Sequence, residues 1–178
     1  EQVLYEAMLE TPLPAYTQAD REAAAGYAAT VDGEKNQVLS LIADTLRLPE
    51  NKQRVLQAKS KDLNDFVVPY EPDHPDKVGF GSTDVGDVSW QCPTAQINGC
   101  TWAVSTPGHS WQVVAQGKSN LAHQGMLYAG KVLALAAARL FSEEGLREKA
   151  RAEFEKTLGG QNYVPIPADV HPRAMQDL

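Results

Sequence analysis

Apolar residues recur at three- and four-residue spacing through most of the chain, and that pattern breaks at prolines and glycines. Val3, Leu4, Met8 and Leu9 predict a helix over 2–10. Thr11-Pro12-Leu13-Pro14 stops it, because a residue before proline is driven out of helical conformation. Thr17, with Asp20 three positions on, is an N-cap signal that opens a second helix running to about Thr30, where Asp32-Gly33 breaks it. Val38, Leu41, Ile42 and Leu46 share one face of a third helix over 34–46. Residues 50–60 fit helix or loop, and the proline- and acid-rich run 67–77 reads as an extended surface connection carrying a solvated His74.

From 77 to 112 the periodicity changes to β-branched and aromatic residues among glycines, the composition of short strands and their loops. One strand is expected within 94–104, leading into TPGHSWQ, so that the Pro107-Gly108 turn would aim His109 over a sheet edge. Ser119 or Asn120 then opens a long helix ending near Phe141. It is apolar around most of its circumference, as expected of a helix buried on more than one side against a sheet. Ser142 is expected to cap a last helix, with Glu143 and Glu144 in its first turn and Leu158-Gly159-Gly160 as its stop. The tail from Gln161 should be extended. Together these elements predict an α/β domain of several helices packed on a small sheet.

Composition narrows the function classes. A length of 178 residues with 43% apolar content suits one core. The net charge of −7, with basic residues dispersed among acids, argues against a nucleic-acid surface. No run of 18 apolar residues lacks a charge, so no membrane partner is expected. The opening EQVLYEAMLE lacks the features of a signal peptide and has no methionine at its start, so the chain is expected to begin inside something larger or to have been trimmed. Cys92 and Cys100, outside any C-x-x-C pair, read as reduced thiols of a cytoplasmic protein.

Polar residues without an evident structural reason gather between 82 and 123: Ser82, Thr83, Asp84, Asp87, Cys92, Cys100, His109, Ser110 and His123. Asp84 and Asp87 share a face if a helix starts there, where they would bind a metal, orient an imidazole or simply cap the helix. A loop histidine such as His109 is more often a surface side chain than a ligand. His123 is equally at home hydrogen-bonded within a core. No H-E-x-x-H pair and no G-x-S-x-G elbow is present, so spacing alone defines neither a metal site nor a serine nucleophile.

The stretches GSTDVGDVSWQCPT, TPGHSWQ and AHQGMLYAGKVLALAA resemble the C-terminal part of the aminobenzoyl-glutamate utilisation protein B group, within the M20 family of metal-dependent amidohydrolases and peptidases. EQVLYEAMLETPLPAYTQADREAAAGYA is similar to the segment that re-enters the catalytic domain after the dimerisation (lid) domain, and the resemblance covers essentially the whole chain. It implies the C-terminal portion of an M20, zinc-peptidase-like α/β catalytic domain, with the lid and the N-terminal catalytic half absent. In that family two divalent metals, zinc or manganese, activate a bridging water and polarise the amide carbonyl, with a glutamate as general base. The family's last metal-binding histidine sits in a P-x-H-S-type loop, which His109 matches. Asp84, Ser110 and His123 are the implied substrate-binding or site-supporting residues. Thr83 and Val85 depart from the wider family's acidic pair and phenylalanine, in the manner of the utilisation group. The other ligands and the glutamate have no counterpart here.

The leading expectation is therefore a fragment of a metal-dependent amidohydrolase that cleaves p-aminobenzoyl-glutamate or a related N-acyl amino acid or dipeptide. The fragment is expected to be inactive alone and, through apolar faces that its missing half would cover, to form a homo-oligomer. The alternatives are a non-catalytic binding or assembly domain on the same scaffold, and a mononuclear metal module centred on His109 and His123.

Overall fold

Helix starts and stops follow local chemistry closely in the computed structural model, which describes residues 1–72 and 83–170. His74 and Ser82 lie outside the described residues. α1 spans Gln2–Glu10 and ends at Thr11, whose hydroxyl donates to the Ala7 carbonyl at 2.7 Å. α2 spans Gln18–Ala28 behind a complete capping box: the Asp20 amide donates to Thr17 Oγ1, and the Asp20 carboxylate accepts from the Thr17 amide. α3 is shorter than expected, Gln37–Ala43, because Asn36 takes a left-handed conformation (φ 54°) through which a right-handed helix cannot run. The ambiguous stretch is helical: α4 spans Pro49–Gln57, with proline at the first helical position, and a 3-10 turn covers Ala58–Ser60.

The described chain divides into two compact units, one of Glu1–Gly79 with Ala95–Ser142 and one of Phe80–Thr94 with Glu143–Leu178. In the first, α3 and α4 bury Leu39, Ala43, Leu46, Val55 and Ala58 together. The Glu71 side chain joins α4 from a distance. Its carboxylate accepts from the amides of Arg47 and Leu48, just ahead of the helix, and from Asn51 Nδ2 at 2.9 Å. Those bonds, Asn51's foremost, hold its carboxyl below the usual value of 4.5, and the helix N-terminus favours the same charge.

The first unit also contains α6, Trp111–Gln116, and α7, Asn120–Ser142. α7 lies against α1, where Tyr128, Val132 and Ala136 pack on Ala7 with Val3, Leu4 and Met8 around them. The Tyr128 hydroxyl donates to the Met8 carbonyl at 2.9 Å, and Arg139 pairs with Glu6 and Glu10 of α1. The buried positions Leu121, Gly125, Tyr128, Val132 and Ala136 follow a single stripe. α7 is therefore covered on one side, and Met126, Leu127, Leu133 and Phe141 remain exposed, Phe141 at 86%. This corrects the expectation of a helix buried on more than one side. By length and composition α7 is apolar enough to cross a membrane, yet Lys131 sits at its middle and its stripe is seated on α1.

No strand forms among the described residues, and the small sheet is not seen among them. Residues 95–101, where a strand was expected, run without a ladder partner and cross α7 instead. Side chains meet two backbone groups in and just after this stretch. The Cys100 carbonyl accepts from the Tyr16 hydroxyl at 2.9 Å, and the nearby Ala103 amide donates to Gln116 Oε1 at 2.8 Å. The crossing is close: a Cβ on Gly125 would stand 2.0 Å from the Cys100 carbonyl oxygen.

The second unit contains α5, Val85–Ser89, and α8, Glu144–Leu158. Glu143, not Ser142, occupies the cap position of α8; Ser142 ends α7 and donates to the Ala138 carbonyl at 2.9 Å. Gly159 stops α8 in a left-handed conformation, as its sequence signal indicates. Neither α5 nor α8 contains a buried residue. The segment 161–166 has no regular secondary structure, and Val164 and Ile166 are exposed.

Replacing Gly125 with Ala drives a methyl into backbone and is expected to destabilise the chain by about 3 kcal/mol. Gly130→Ala, in the same helix with nothing within 4 Å of the added Cβ, should instead gain about 1 kcal/mol from helix propensity. Urea melts of the two variants read both signs, and equal effects would refute the close crossing.

Glu71 makes stability depend on pH. Its folded pKa is depressed, so its stabilisation is complete above the unfolded value near 4.5 and fades as pH falls through the folded value. Glu71→Gln is expected to be less stable than wild type at pH 7, with the gap closing on acidification below about pH 4.5. Denaturant midpoints across that range check it.

Candidate functional site

Four long-range hydrogen bonds place the loop that carries His109. Besides Tyr16 on Cys100 and Gln116 on Ala103, the Val104 amide donates to the Asp62 carbonyl at 3.0 Å, and the Asn36 amide to Ser105 Oγ at 2.7 Å. Asn36 is fully buried, and its side-chain amide donates to Asn64 at 2.7 Å, so its left-handed turn is fixed from two directions. Burial, reinforced by Cys100, pushes the Tyr16 hydroxyl far above the ordinary tyrosine range, which keeps its proton on the bond to Cys100. Burial also raises the Cys100 thiol, which leaves it protonated and a poor nucleophile.

Nearby, Asp65 accepts from Arg21 at 2.8 Å and Lys61 at 2.7 Å. Burial works to raise its carboxyl, but hydrogen bonds and charge from Lys61 and Arg21 outweigh that and hold it below the usual range. Asp20 does similar work for α7. Its carboxylate accepts from Asn120 Nδ2 at 2.8 Å and so joins the start of α2 to the start of α7. These charged groups stitch elements together and are occupied in doing so.

Within the loop, Ser105 and His109 both take left-handed conformations, at φ 62° and 56°. For a residue with a side chain this costs on the order of 1 kcal/mol and persists only where its surroundings impose it. Pro107-Gly108 forms a turn that feeds α6 and ends no strand. Ser110 is the N-cap of α6: its hydroxyl donates to the Pro107 carbonyl at 2.7 Å and accepts from the Val113 amide at 3.4 Å. Gln116, at 2% exposure, closes the loop from the other end of α6 by donating to Thr106 Oγ1 and the Gln112 carbonyl. Trp111 tilts against Tyr27 of α2 with ring centroids 6.4 Å apart.

The four candidate residues stand in different local settings. His109 is exposed on the loop, and His123 is exposed in the first turns of α7, with no core around it. Ser110 is committed to its cap. Asp84 belongs to the second unit and stands at the N-cap position of α5 without a side-chain cap bond, while Asp87 lies in the first turn of that helix. Thr83 Oγ1 accepts from the Val85 amide at 3.4 Å in place of a capping carboxylate. The hydrogen bond and charge of Asp87 raise the pKa of the Tyr163 hydroxyl, so Asp87 faces a phenol of its own unit.

Among the described residues, no three His, Cys, Asp or Glu side chains gather closely enough to hold a metal ion. One imidazole is offered where a catalytic metal needs three protein ligands, so these residues alone do not fit the divalent metal. Gln116 and Asn36, which form the loop, are not among the residues that the sequence pattern singles out. Asn36 leaves a faint signal, as an asparagine after Gly33-Glu34-Lys35 that tolerates a left-handed turn. Gln116 leaves none.

The length of chain over which a known protein aligns bears most directly on identity. The chain is similar to a subunit of p-aminobenzoyl-glutamate hydrolase. That protein, from Escherichia coli (strain K12), is 34% identical over 178 residues, 99% of this chain. The chain spans 36% of its length. No family model and no solved structure matches the chain. The group that GSTDVGDVSWQCPT, TPGHSWQ and AHQGMLYAGKVLALAA resemble is the one this relative represents.

His109 and Ser110 are expected to separate cleanly by stability. Ser110→Ala removes a cap and should cost about 1 kcal/mol. His109→Gly relieves the left-handed strain and should stay within about 1 kcal/mol of wild type, because glycine adopts that conformation freely. Thermal melts compare the two; a large loss for His109→Gly would make the imidazole a structural group.

Proposed function

We propose that this chain is the C-terminal part of a metal-dependent amidohydrolase of the M20 family, which cleaves p-aminobenzoyl-glutamate or a related N-acyl amino acid or dipeptide. The observation that carries the reading is the 34% identity to a p-aminobenzoyl-glutamate hydrolase subunit, sustained along 99% of the chain. In this reading the chain contributes His109 as one ligand for zinc or manganese. The remaining ligands, the general base and the sheet of the α/β domain come from a part of the protein outside these residues. Support comes from a hydrogen-bonded loop that holds an exposed imidazole in a left-handed backbone conformation. The exposure of Met126, Leu127 and Leu133 on α7 also fits a chain that normally belongs to a larger body, whether the rest of its own domain or a homo-oligomer. The location proposed is the cytoplasm.

The test is release of p-aminobenzoate from p-aminobenzoyl-glutamate. The 178-residue chain mixed with zinc or manganese is expected to release none. The full-length protein carrying it is expected to be active, with His109→Ala lowering kcat/KM by at least about a hundredfold, as loss of a metal ligand should. An inactive full-length protein with metal bound would end the hydrolase reading.

A second reading, a non-catalytic binding or assembly domain, is favoured by one observation: the described residues bring no metal-holding group together. Gel filtration separates the two. The amidohydrolase fragment should self-associate through its exposed apolar residues, whereas a tidy monomer at all concentrations would favour the independent domain.

A further inference from the structure

We draw no further inference here: the strongest candidate, the exposed apolar face of α7 bearing Met126, Leu127 and Leu133, carries nothing, because nothing in the structure shows what covers it.

Discussion

The first unit depends on one peptide group. The Cys100 carbonyl lies against Gly125 of α7 so closely that no side chain fits between them, and it takes the Tyr16 hydroxyl from the other side. A backbone carbonyl buried this way would cost several kcal/mol without a partner. Tyr16 supplies that partner and, because burial suppresses its ionisation, keeps its proton for it. Tyr16, Leu63, Ala103 and Leu121 then share one apolar cluster, so the crossing sets where residues 95–101 meet the long helix. The loop carrying His109 begins just beyond one member of that cluster, Ala103, and inherits its position.

Much of this was legible in the sequence, and the parts that were not share a cause. Thr17 with Asp20, Thr11 before Pro12, and Gly159 after Leu158 each act within four residues, so their chemistry can be read locally. The strand expected in 94–104 does not form because its β-branched and aromatic residues find no edge to pair with among the described residues. The Cys100 carbonyl and the Ala103 amide pair with side chains instead, and the Val104 amide with the Asp62 carbonyl. α6 is hidden for the converse reason. Val113 and Val114 favour strand, and only the Ser110 cap and the buried Gln116 amide, bonding across thirteen residues to Ala103, make the segment helical.

α7 shows the limit of reading burial from composition. Its apolar circumference suggests burial on more than one side, but only the stripe from Leu121 to Ala136 is covered. Composition reports what a helix is fit to bury, whereas the structure reports what is there to bury it. An exposed apolar face of this kind is a surface suited to contact with further protein. The second unit repeats the point in a weaker form, since α8 buries no residue at all.

The same logic applies to His109. A core side chain in a left-handed conformation is tolerated when packing offsets the strain; His109, by contrast, is exposed. Its neighbours carry the structural role: Ser110 caps α6, Gln116 ties α6 to the loop, and Ser105 accepts from Asn36. A glycine would meet the backbone's demand at lower strain. The imidazole is therefore unexplained by folding, which is the condition under which a strained residue points to function. One imidazole cannot make a catalytic metal site, and the chain aligns with 36% of a hydrolase subunit. Both facts are accounted for if His109 is one ligand of a centre that a larger protein completes.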